Sequence, residues 1–244
     1  MLYNNCMERK TERLQDLDID TFGFEDALEY GFENRGQVVT LNPEMVMNSK
    51  KNSELKTIIN NAELVIPDGV GIEIGMKILG KKVHRIAGIE YAKAMVKKYW
   101  ENSLPIALIG AKQEVLELTA ANLKKEFAGI KIVYAHNGFF DDEQIIKKSL
   151  KLSGAKLALI ALGSPKQEQF IYDLKKEMPE TLFIGVGGSF DVWSNKVERA
   201  PEFYQKAGLE WLYRTVKEPA RFKRIFPTLP LFVMRVIKER ICKC

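Results

Sequence analysis

An aspartate, Asp68, stands at the kind of position where α/β proteins place their chemistry. The short, β-branched run of residues 63–66 predicts a buried strand, which Pro67 and Gly69 end. Apolar residues then recur at helical spacing over residues 70–79, so Asp68 lies between a strand and a helix. The carboxyl ends of strands and the amino ends of helices open into one crevice. The alternative is that Asp68 is only a helix N-cap, whose carboxylate accepts hydrogen bonds from the first free amides.

Thr40 and Asn42 occupy a second junction of this kind. Residues 37–41 predict a strand, and Asn42 is the predicted cap of the following helix. Pro43 suits the first turn of that helix, where its missing N–H costs nothing. In a parallel sheet, Thr40 and Asn42 would share an edge with Asp68.

Glycines end three further predicted strands and favour a phosphate-bearing ligand. They are Gly110, Gly163 and the pair Gly187-Gly188. Glycine lets a backbone approach a ligand closely, and helix amino ends favour phosphate, so three such turns together favour a nucleotide crevice. Arg85, in the predicted connector before the next helix, is a residue type that grips phosphate through two parallel hydrogen bonds. The alternative for Arg85 is an exposed loop arginine.

Several common site types are absent from the sequence. No Gly-x-Gly-x-x-Gly follows the first strand of a βαβ unit and no Gly-x4-Gly-Lys-Ser/Thr occurs, which disfavours a dinucleotide dehydrogenase and a P-loop enzyme. With only His84 and His136 and no serine elbow, a hydrolase triad is poorly supported. Cys6, Cys242 and Cys244 lack metal-ligand spacing and are expected to be reduced thiols. Neither a signal peptide nor a membrane span is recognisable, so we expect a cytosolic protein.

The second half of the chain alternates strands with helix-length segments. Predicted strands cover residues 106–109, 130–134, 157–162 and 182–186, and predicted helices cover residues 113–127, 141–152 and 167–176. Such alternation implies right-handed crossovers between parallel strands. We therefore predict an α/β fold with a Rossmann-like parallel sheet flanked by helices.

The charge of the chain is concentrated in its last part. The 244 residues are 46% hydrophobic and 28% charged, which is typical of a globular protein. The net charge is +5, yet residues 209–244 alone carry nine Lys or Arg against three acids, a net of +6. We therefore predict an α/β domain of residues 1–208 and a basic, amphipathic helical appendage of residues 209–244. Nucleic acid, a pyrophosphate and an anionic membrane surface all fit as partners of this appendage.

A series of motifs, in order from Val38 to Arg224, resembles those of the WecG/TagA/CpsF glycosyltransferases. They are Thr40-Leu-Asn-Pro-Glu44, Pro67-Asp-Gly-Val-Gly71, Arg85-Ile-Ala-Gly88, Leu162-Gly-Ser-Pro-Lys-Gln-Glu168, Gly185-Val-Gly-Gly-Ser-Phe-Asp191, Arg199-Ala-Pro201 and Gly208-Leu-Glu-Trp-Leu-Tyr-Arg214. The resemblance implies transfer of a sugar, N-acetylmannosamine in the best-known members, from UDP to N-acetylglucosamine on undecaprenyl diphosphate. It also implies inversion at the anomeric carbon without a metal or other cofactor, in the synthesis of teichoic acid or another surface polysaccharide.

The resemblance further implies roles for the residues singled out above. Asp68 matches the base that deprotonates the acceptor hydroxyl. Thr40, Asn42 and Arg85 belong to the same catalytic pocket. The nucleotide-sugar is expected at Gly110, Gly163, Lys166, Gln167, Gly187, Gly188 and Asp191, with uracil and ribose near the last three. For Asp191 the alternative is a simple turn former, and the role of His136 stays open because relatives often have two histidines before the following glycine.

Arg214, Arg221 and Arg224 match arginines of the family's C-terminal appendage. That appendage is expected to close over the active site, contact the diphosphate and rest on the inner face of the cytoplasmic membrane. The three arginines share one helical face if the helix continues past Pro219, and the apolar residues between them suit a segment at a membrane interface. The alternative is an ordinary amphipathic helix packed on the body. Relatives also suggest a homo-oligomer.

Two alternatives to N-acetylmannosamine transfer stay open at this point. A related transferase would use UDP-glucose or a uronic acid donor, because donor choice rests on a few pocket contacts. A nucleotide- or nucleic-acid-binding module with a basic tail is the alternative from another class. The body of the chain is not basic and carries no RNA-binding motif, so no nucleic-acid partner is expected.

Overall fold

The computed structural model describes residues 7–201, 203–204, 212–213 and 219–242, the side chains of the last range from Pro227 onward. Its strands are β1 (Thr11–Leu14), β2 (Leu17–Asp20), β3 (Gly36–Leu41), β4 (Leu64–Pro67), β5 (Ile106–Gly110), β6 (Ile132–His136), β7 (Leu157–Ala161) and β8 (Leu182–Gly185). Helices of the described part are α1 (Phe24–Asn34), α2 (Pro43–Ser49), α3 (Ser53–Asn60), α4 (Val70–Ile78), α5 (Gly88–Glu101), α6 (Gln113–Glu126), α7 (Glu143–Ser153), α8 (Lys166–Lys175), α9 (Ser189–Trp193) and α10 (Pro219–Cys242).

Six strands form one parallel sheet in the order β4-β3-β8-β7-β5-β6. The chain runs from β3 to the edge strand β4 and crosses through α4 and α5 to β5. It continues to β6 at the opposite edge and returns through β7 to β8 near the centre. The predicted α/β fold with a parallel sheet flanked by helices is thereby confirmed. Because all six strands point the same way, their carboxyl ends share one edge.

An antiparallel hairpin of β1 and β2 lies beside the sheet. Asp20 at its end is 1% exposed, and its Oδ2 accepts the Val65 N–H of β4 at 2.7 Å. The Arg9 guanidinium donates to both oxygens of the same carboxylate, at 2.7 and 3.0 Å. A buried carboxylate is tolerated only with such partners, so these bonds fix the hairpin against β4.

Two consecutive helices follow β3, each started by an asparagine. Asn42 caps α2 as predicted, since its Oδ1 accepts the Met45 N–H at 3.0 Å. Asn52 caps α3 in the same way through the Leu55 N–H, also at 3.0 Å. The second cap starts a new helix after a short turn, so α2 and α3 are separate helices.

The C-terminal helix α10 is packed on the α/β body. Phe232 and Val236 are fully buried and share a core cluster with residues of β3, β4, α2 and α4. A Cβ added to Gly75 of α4 would lie 2.8 Å from Phe232 Cζ, and one added to Gly71 would lie 3.4 Å from Leu229 Cδ1. The docking of α10 therefore requires glycine at position 75, whereas Gly71 is required mainly by Pro43 of α2, whose Cγ would lie 2.4 Å from an added Cβ.

Hydrogen bonds hold the same helix near its end. The Gln15 Nε2 group donates to Glu239 Oε2 at 2.8 Å and to the Arg235 carbonyl at 3.1 Å. Arg240 Nη1 donates to the Leu79 carbonyl, just after α4, at 2.9 Å. The part of the predicted appendage that follows Leu229 is thus a packed helix, and burial of a phenylalanine side chain there contributes about 1.5–3 kcal/mol.

Candidate active site

The carboxyl edge of the sheet collects the residues that the sequence singled out. β3 carries Thr40 and leads to Asn42, β4 leads to Asp68, β5 ends at Gly110, β7 leads to Gly163, Lys166 and Gln167, and β8 leads to Gly187, Gly188 and Asp191. The sheet order separates them into groups, because β4 and β3 are neighbours whereas β5 lies four strands from β4. At about 4.8 Å per strand, Asp68 and Gly110 are roughly 19 Å apart along the edge.

Asp68, Thr40 and Gly88 meet at one end of this edge. Leu41 of β3 pairs with Pro67 of β4, and the Asp68 N–H donates to the Leu41 carbonyl at 2.8 Å. Gly88 begins α5, and a Cβ added to it would lie 2.8 Å from Thr40 Cγ2 and 3.2 Å from Asp68 Oδ2. The half-buried Asp68 carboxylate is therefore held at the amino end of α5, where the helix dipole favours a negative charge.

The capping position of α4 is occupied by Gly69 and not by Asp68. Gly69 has φ of 86° and no side chain that could supply a capping hydrogen bond. A positive φ is readily adopted only by glycine. One oxygen of the Asp68 carboxylate lies beside Gly88 at the start of α5.

The polar groups of Thr40 and Asn42 are engaged differently. Thr40 Oγ1 donates to the Gly185 carbonyl of β8 at 3.3 Å, which links two neighbouring strands at the site. The side-chain oxygen of Asn42 is used in the cap of α2. A contact of Asn42 with a ligand would use its amide NH2 group or the second lone pair of its oxygen.

Arg85 lies beside the end of β4. The N–H of the next residue, Ile86, donates to the Pro67 carbonyl at 3.0 Å and holds the connector along this strand end. Arg85 is half-buried, which differs from the exposed loop arginine of the alternative interpretation. Guanidinium groups pair well with phosphate, and a contact of Arg85 with the diphosphate of a ligand stays a prediction.

Glycine stands at the strand ends for different structural reasons. At Gly110, with φ of 120°, an added Cβ would lie 2.3 Å from the Ala161 carbonyl oxygen of β7, so the close approach of two strands requires glycine. Gly163 and Gly187 have φ of 75° and 48°, and an added Cβ at either would meet no atom of the described residues within 4 Å. At these two positions the positive φ, and not a contact with a described residue, favours glycine.

Lys166 and Gln167 begin α8 but point to different surroundings. Lys166 is exposed, and its Nζ lies 4.7 Å from the centroid of the Phe140 ring. Gln167 is only 4% exposed, and its side-chain oxygen accepts the Gly187 N–H at 3.1 Å. The predicted contact of Gln167 with the nucleotide-sugar stays a prediction, and its observed role is to join two loops of the site.

Asp191 and His136 have backbone partners. The Asp191 carbonyl accepts the N–H groups of Lys196 and Val197 at 3.1 and 3.0 Å, so its backbone organises the turn after α9. His136 Nδ1 lies 2.8 Å from the Asn137 carbonyl, which only accepts, so this nitrogen carries the proton. Neither observation tests a contact of these side chains with a ligand.

Two residues of the quoted motifs received no role from sequence reasoning. Gly88 ends one motif, and only its contact with Thr40 and Asp68 explains why a side chain is excluded there. Glu168 ends another and is 2% exposed, and burial raises the pKa of its carboxyl. An acidic residue on the inward face of a helix is the signal that points to Glu168.

Part of the predicted site lies outside the described residues. Arg214 is wholly outside them, and so are the side chains of Arg221 and Arg224. Within the described ranges, no group of three or more His, Cys, Asp or Glu side chains has an arrangement that could hold a metal ion. In the same ranges, every helix is too short or too polar to cross a membrane.

Comparisons with known proteins identify the family. Residues 13–243 match the family described as glycosyl transferase WecG/TagA/CpsF. The N-acetylglucosaminyldiphosphoundecaprenol N-acetyl-beta-D-mannosaminyltransferase of Bacillus spizizenii strain W23 is 32% identical over 231 residues, which are 93% of this chain and 90% of that protein. The match confirms the resemblance carried by the motifs and favours an enzyme over a nucleic-acid-binding module. The chain belongs to the WecG/TagA/CpsF family and is a glycosyltransferase.

Proposed function

We propose that this glycosyltransferase moves N-acetylmannosamine from UDP to N-acetylglucosamine on undecaprenyl diphosphate, in the synthesis of teichoic acid or a related surface polysaccharide. The similarity to the Bacillus spizizenii enzyme over 93% of the chain supports this donor sugar and acceptor. The observation that carries the proposal is the Asp68 carboxylate held beside Thr40 and Gly88 at the edge of the sheet. A carboxylate in this setting is suited to deprotonate a sugar hydroxyl.

The proposed reaction is a single displacement. The acceptor hydroxyl oxygen forms a bond to the anomeric carbon as Asp68 takes up its proton. The bond between that carbon and the UDP oxygen breaks, and UDP leaves with the bonding electron pair. Attack from the face opposite UDP inverts the configuration at the anomeric carbon.

Charge on the departing diphosphate is balanced by arginines in this proposal. Arg85 is half-buried beside β4 and within the same corner of the site as Asp68. Arg214, Arg221 and Arg224 of the appendage are expected to add positive charge when the appendage covers the site. Preorganised cations of this kind can replace a metal ion as stabilisers of the leaving group, so transfer is expected to proceed without one.

The outer face of α10 is suited to a membrane surface. Leu231, Met234, Ile237 and Ile241 are 43–68% exposed, and they lie opposite Phe232 and Val236, which bury the other face in the core. Arg235 and Lys238 are exposed beside this apolar stripe. A helix with a basic rim and an apolar stripe lies in the headgroup region of anionic lipids, which would bring the site to a lipid-linked acceptor.

The proposal is tested by a transfer assay with a lipid-diphosphate N-acetylglucosamine analogue. Donors are UDP-N-acetylmannosamine, UDP-N-acetylglucosamine, UDP-glucose and a UDP-uronic acid, each with and without EDTA. Turnover with UDP-N-acetylmannosamine that resists EDTA, and that falls in Arg214→Ala, is expected. Preference for another donor would support the alternative, a transferase of the same family that uses UDP-glucose or a uronic acid donor. Loss of turnover in EDTA would overturn the metal-independent mechanism.

A further inference from the structure

Gln167 and Glu168 form a buried polar pair at the edge of an apolar sheet. α8 begins directly after the loop that follows β7, and the Gln167 N–H donates to the Gly163 carbonyl at 2.9 Å. The two side chains are 4% and 2% exposed. Burial of polar groups is costly unless they are hydrogen-bonded, so the partners of this pair indicate what it is for.

The Gln167 side chain joins two loops of the site. Its Oε1 accepts the Gly187 N–H at 3.1 Å, and its Nε2 donates to Glu168 Oε1 at 2.8 Å. It passes over β8 at Gly185, where an added Cβ would lie 2.6 Å from Gln167 Nε2. The loop after β8 is thus tied to the first turn of α8 through one amide.

Glu168 and the Gly187 N–H both favour the same orientation of that amide. A glutamine amide rotated by half a turn exchanges its oxygen and nitrogen with little change of shape. The Glu168 oxygen that faces Gln167 accepts a hydrogen bond, so the amide nitrogen must point to it and the amide oxygen must point to Gly187. Gln37 of β3 holds this part of α8 in place, because its Nε2 donates to the Glu168 carbonyl at 3.1 Å.

We propose that Glu168 is a positioning residue of the nucleotide-sugar site, which orients the Gln167 amide and thereby holds the loop of residues 186–188 in its binding shape. The inference rests on the proposed function and on the expectation, implied by the family resemblance, that this loop meets the uracil and ribose of the donor. The same strand end reaches the catalytic corner, since the Gly185 carbonyl accepts the Thr40 hydroxyl at 3.3 Å. Glu168 acts on the donor through Gln167 and Gly187.

Amide hydrogen exchange at Gly187, measured by NMR on the full chain, tests this role without any ligand. Glu168→Gln keeps an acceptor for the Gln167 amide, so parent-like protection of Gly187 is expected. Glu168→Met has a similar length and no comparable acceptor, so exchange at Gly187 is expected to be about three- to tenfold faster. Gln169→Met is the matched control, because the Gln169 amide donates to Asp173 at 2.9 Å on the outer side of the same helix.

A double-variant cycle and UDP titration complete the test. If Glu168 acts through Gln167, Glu168→Met adds nothing to the effect of Gln167→Met on Gly187 exchange. UDP affinity should fall by a similar factor in both Met variants and be retained in Glu168→Gln. Unchanged Gly187 protection in Glu168→Met, or equal loss in Glu168→Gln, would overturn the proposal.

Two further outcomes are separable. If Glu168→Met does not fold, Glu168→Asp takes its place, because the shorter side chain withdraws the carboxyl from Gln167 by one methylene. Faster exchange at Gly187 is then expected in Glu168→Asp, and unchanged protection would overturn the proposal. If the parent does not bind UDP, the proposed function fails, while exchange at Gly187 still decides the role of Glu168.

Discussion

The ring of Phe232 lies against Gly75, so the end of the chain is in contact with the helix that follows Asp68. A Cβ at Gly75 would lie 2.8 Å from the ring, which means that the contact requires a glycine on α4. α4 begins two residues after Asp68, and α10 therefore braces the helix on one side of the proposed base. The C-terminal part of the chain contributes to the core as well as to the surface.

Phe232→Ala is expected to lower the free energy of unfolding by about 3–5 kcal/mol, because it leaves a cavity at a fully buried site. Urea unfolding followed by circular dichroism measures this change. Met234→Ala on the same helix is the control, since Met234 is 57% exposed and its loss should change stability by no more than about 0.5 kcal/mol. Equal effects of the two substitutions would contradict the docking of α10.

Gly88→Ala is expected to impair catalysis, because the added methyl group would overlap Thr40 and press on Asp68. Overpacking of this kind costs about 1–3 kcal/mol and displaces the side chains that it meets. Gly23→Ala is the control at another helix start, where the added Cβ would meet Asp26 Oδ2 at an ordinary 3.8 Å. Activity and unfolding of the two variants are compared, and full activity of Gly88→Ala would show that the contact is unimportant.

Asp68→Asn is expected to reduce kcat by about 10²–10⁴-fold, because the amide cannot take up the acceptor proton. The KM for the donor should stay close to that of the parent, since the substitution keeps the size of the side chain. Steady-state kinetics and UDP titration separate the two quantities. A variant that loses UDP binding but keeps its turnover would recast Asp68 as a binding group.

Glu168→Gln is expected to change how stability depends on pH. Burial raises the folded-state pKa of the Glu168 carboxyl above its ordinary value of 4.5. At pH values below the pKa that the carboxyl has in the unfolded state, such a group contributes its full stabilisation to the fold. This contribution is lost as pH rises through the pKa that the carboxyl has in the folded state. The unfolding free energy of the parent minus that of the variant should therefore fall as pH rises above about 4.5. Urea unfolding at a series of pH values measures this difference, and a constant difference would argue against the buried carboxyl.

Met234→Ser is expected to weaken binding to anionic liposomes without loss of stability, because Met234 lies on the exposed stripe of α10. Burial of one methionine side chain in the lipid interface contributes about 1.5–3 kcal/mol, so its loss should lower partitioning from water to the liposome by roughly tenfold or more. Co-sedimentation measures the effect. Leu152→Ser on α7, where the leucine is 79% exposed, is the matched control and should bind as the parent does. A point substitution is sharper than deletion of the appendage, which would also remove Phe232 from the core.

The sequence by itself determined the alternation of strands and helices, the parallel sheet, the cap at Asn42 and the family. These features depend on residues close together in the chain, such as a β-branched run ended by a glycine or an asparagine before a proline. The position of Thr40, Asp68, Gly163 and Gly187 at strand ends follows from the same local patterns. Shared strand direction then brings them to one edge of the sheet.

Only the tertiary structure decided which of these residues meet. The order β4-β3-β8-β7-β5-β6 separates Asp68 from Gly110, and the start of α5 places Gly88 against Thr40 and Asp68. The hydrogen bond between Gln167 and Glu168 and the docking of Phe232 on Gly75 were likewise invisible in the sequence. The physical reason is that each contact joins helices and strands packed by burial of apolar surface, and periodicity along one segment carries no information about its packing partner.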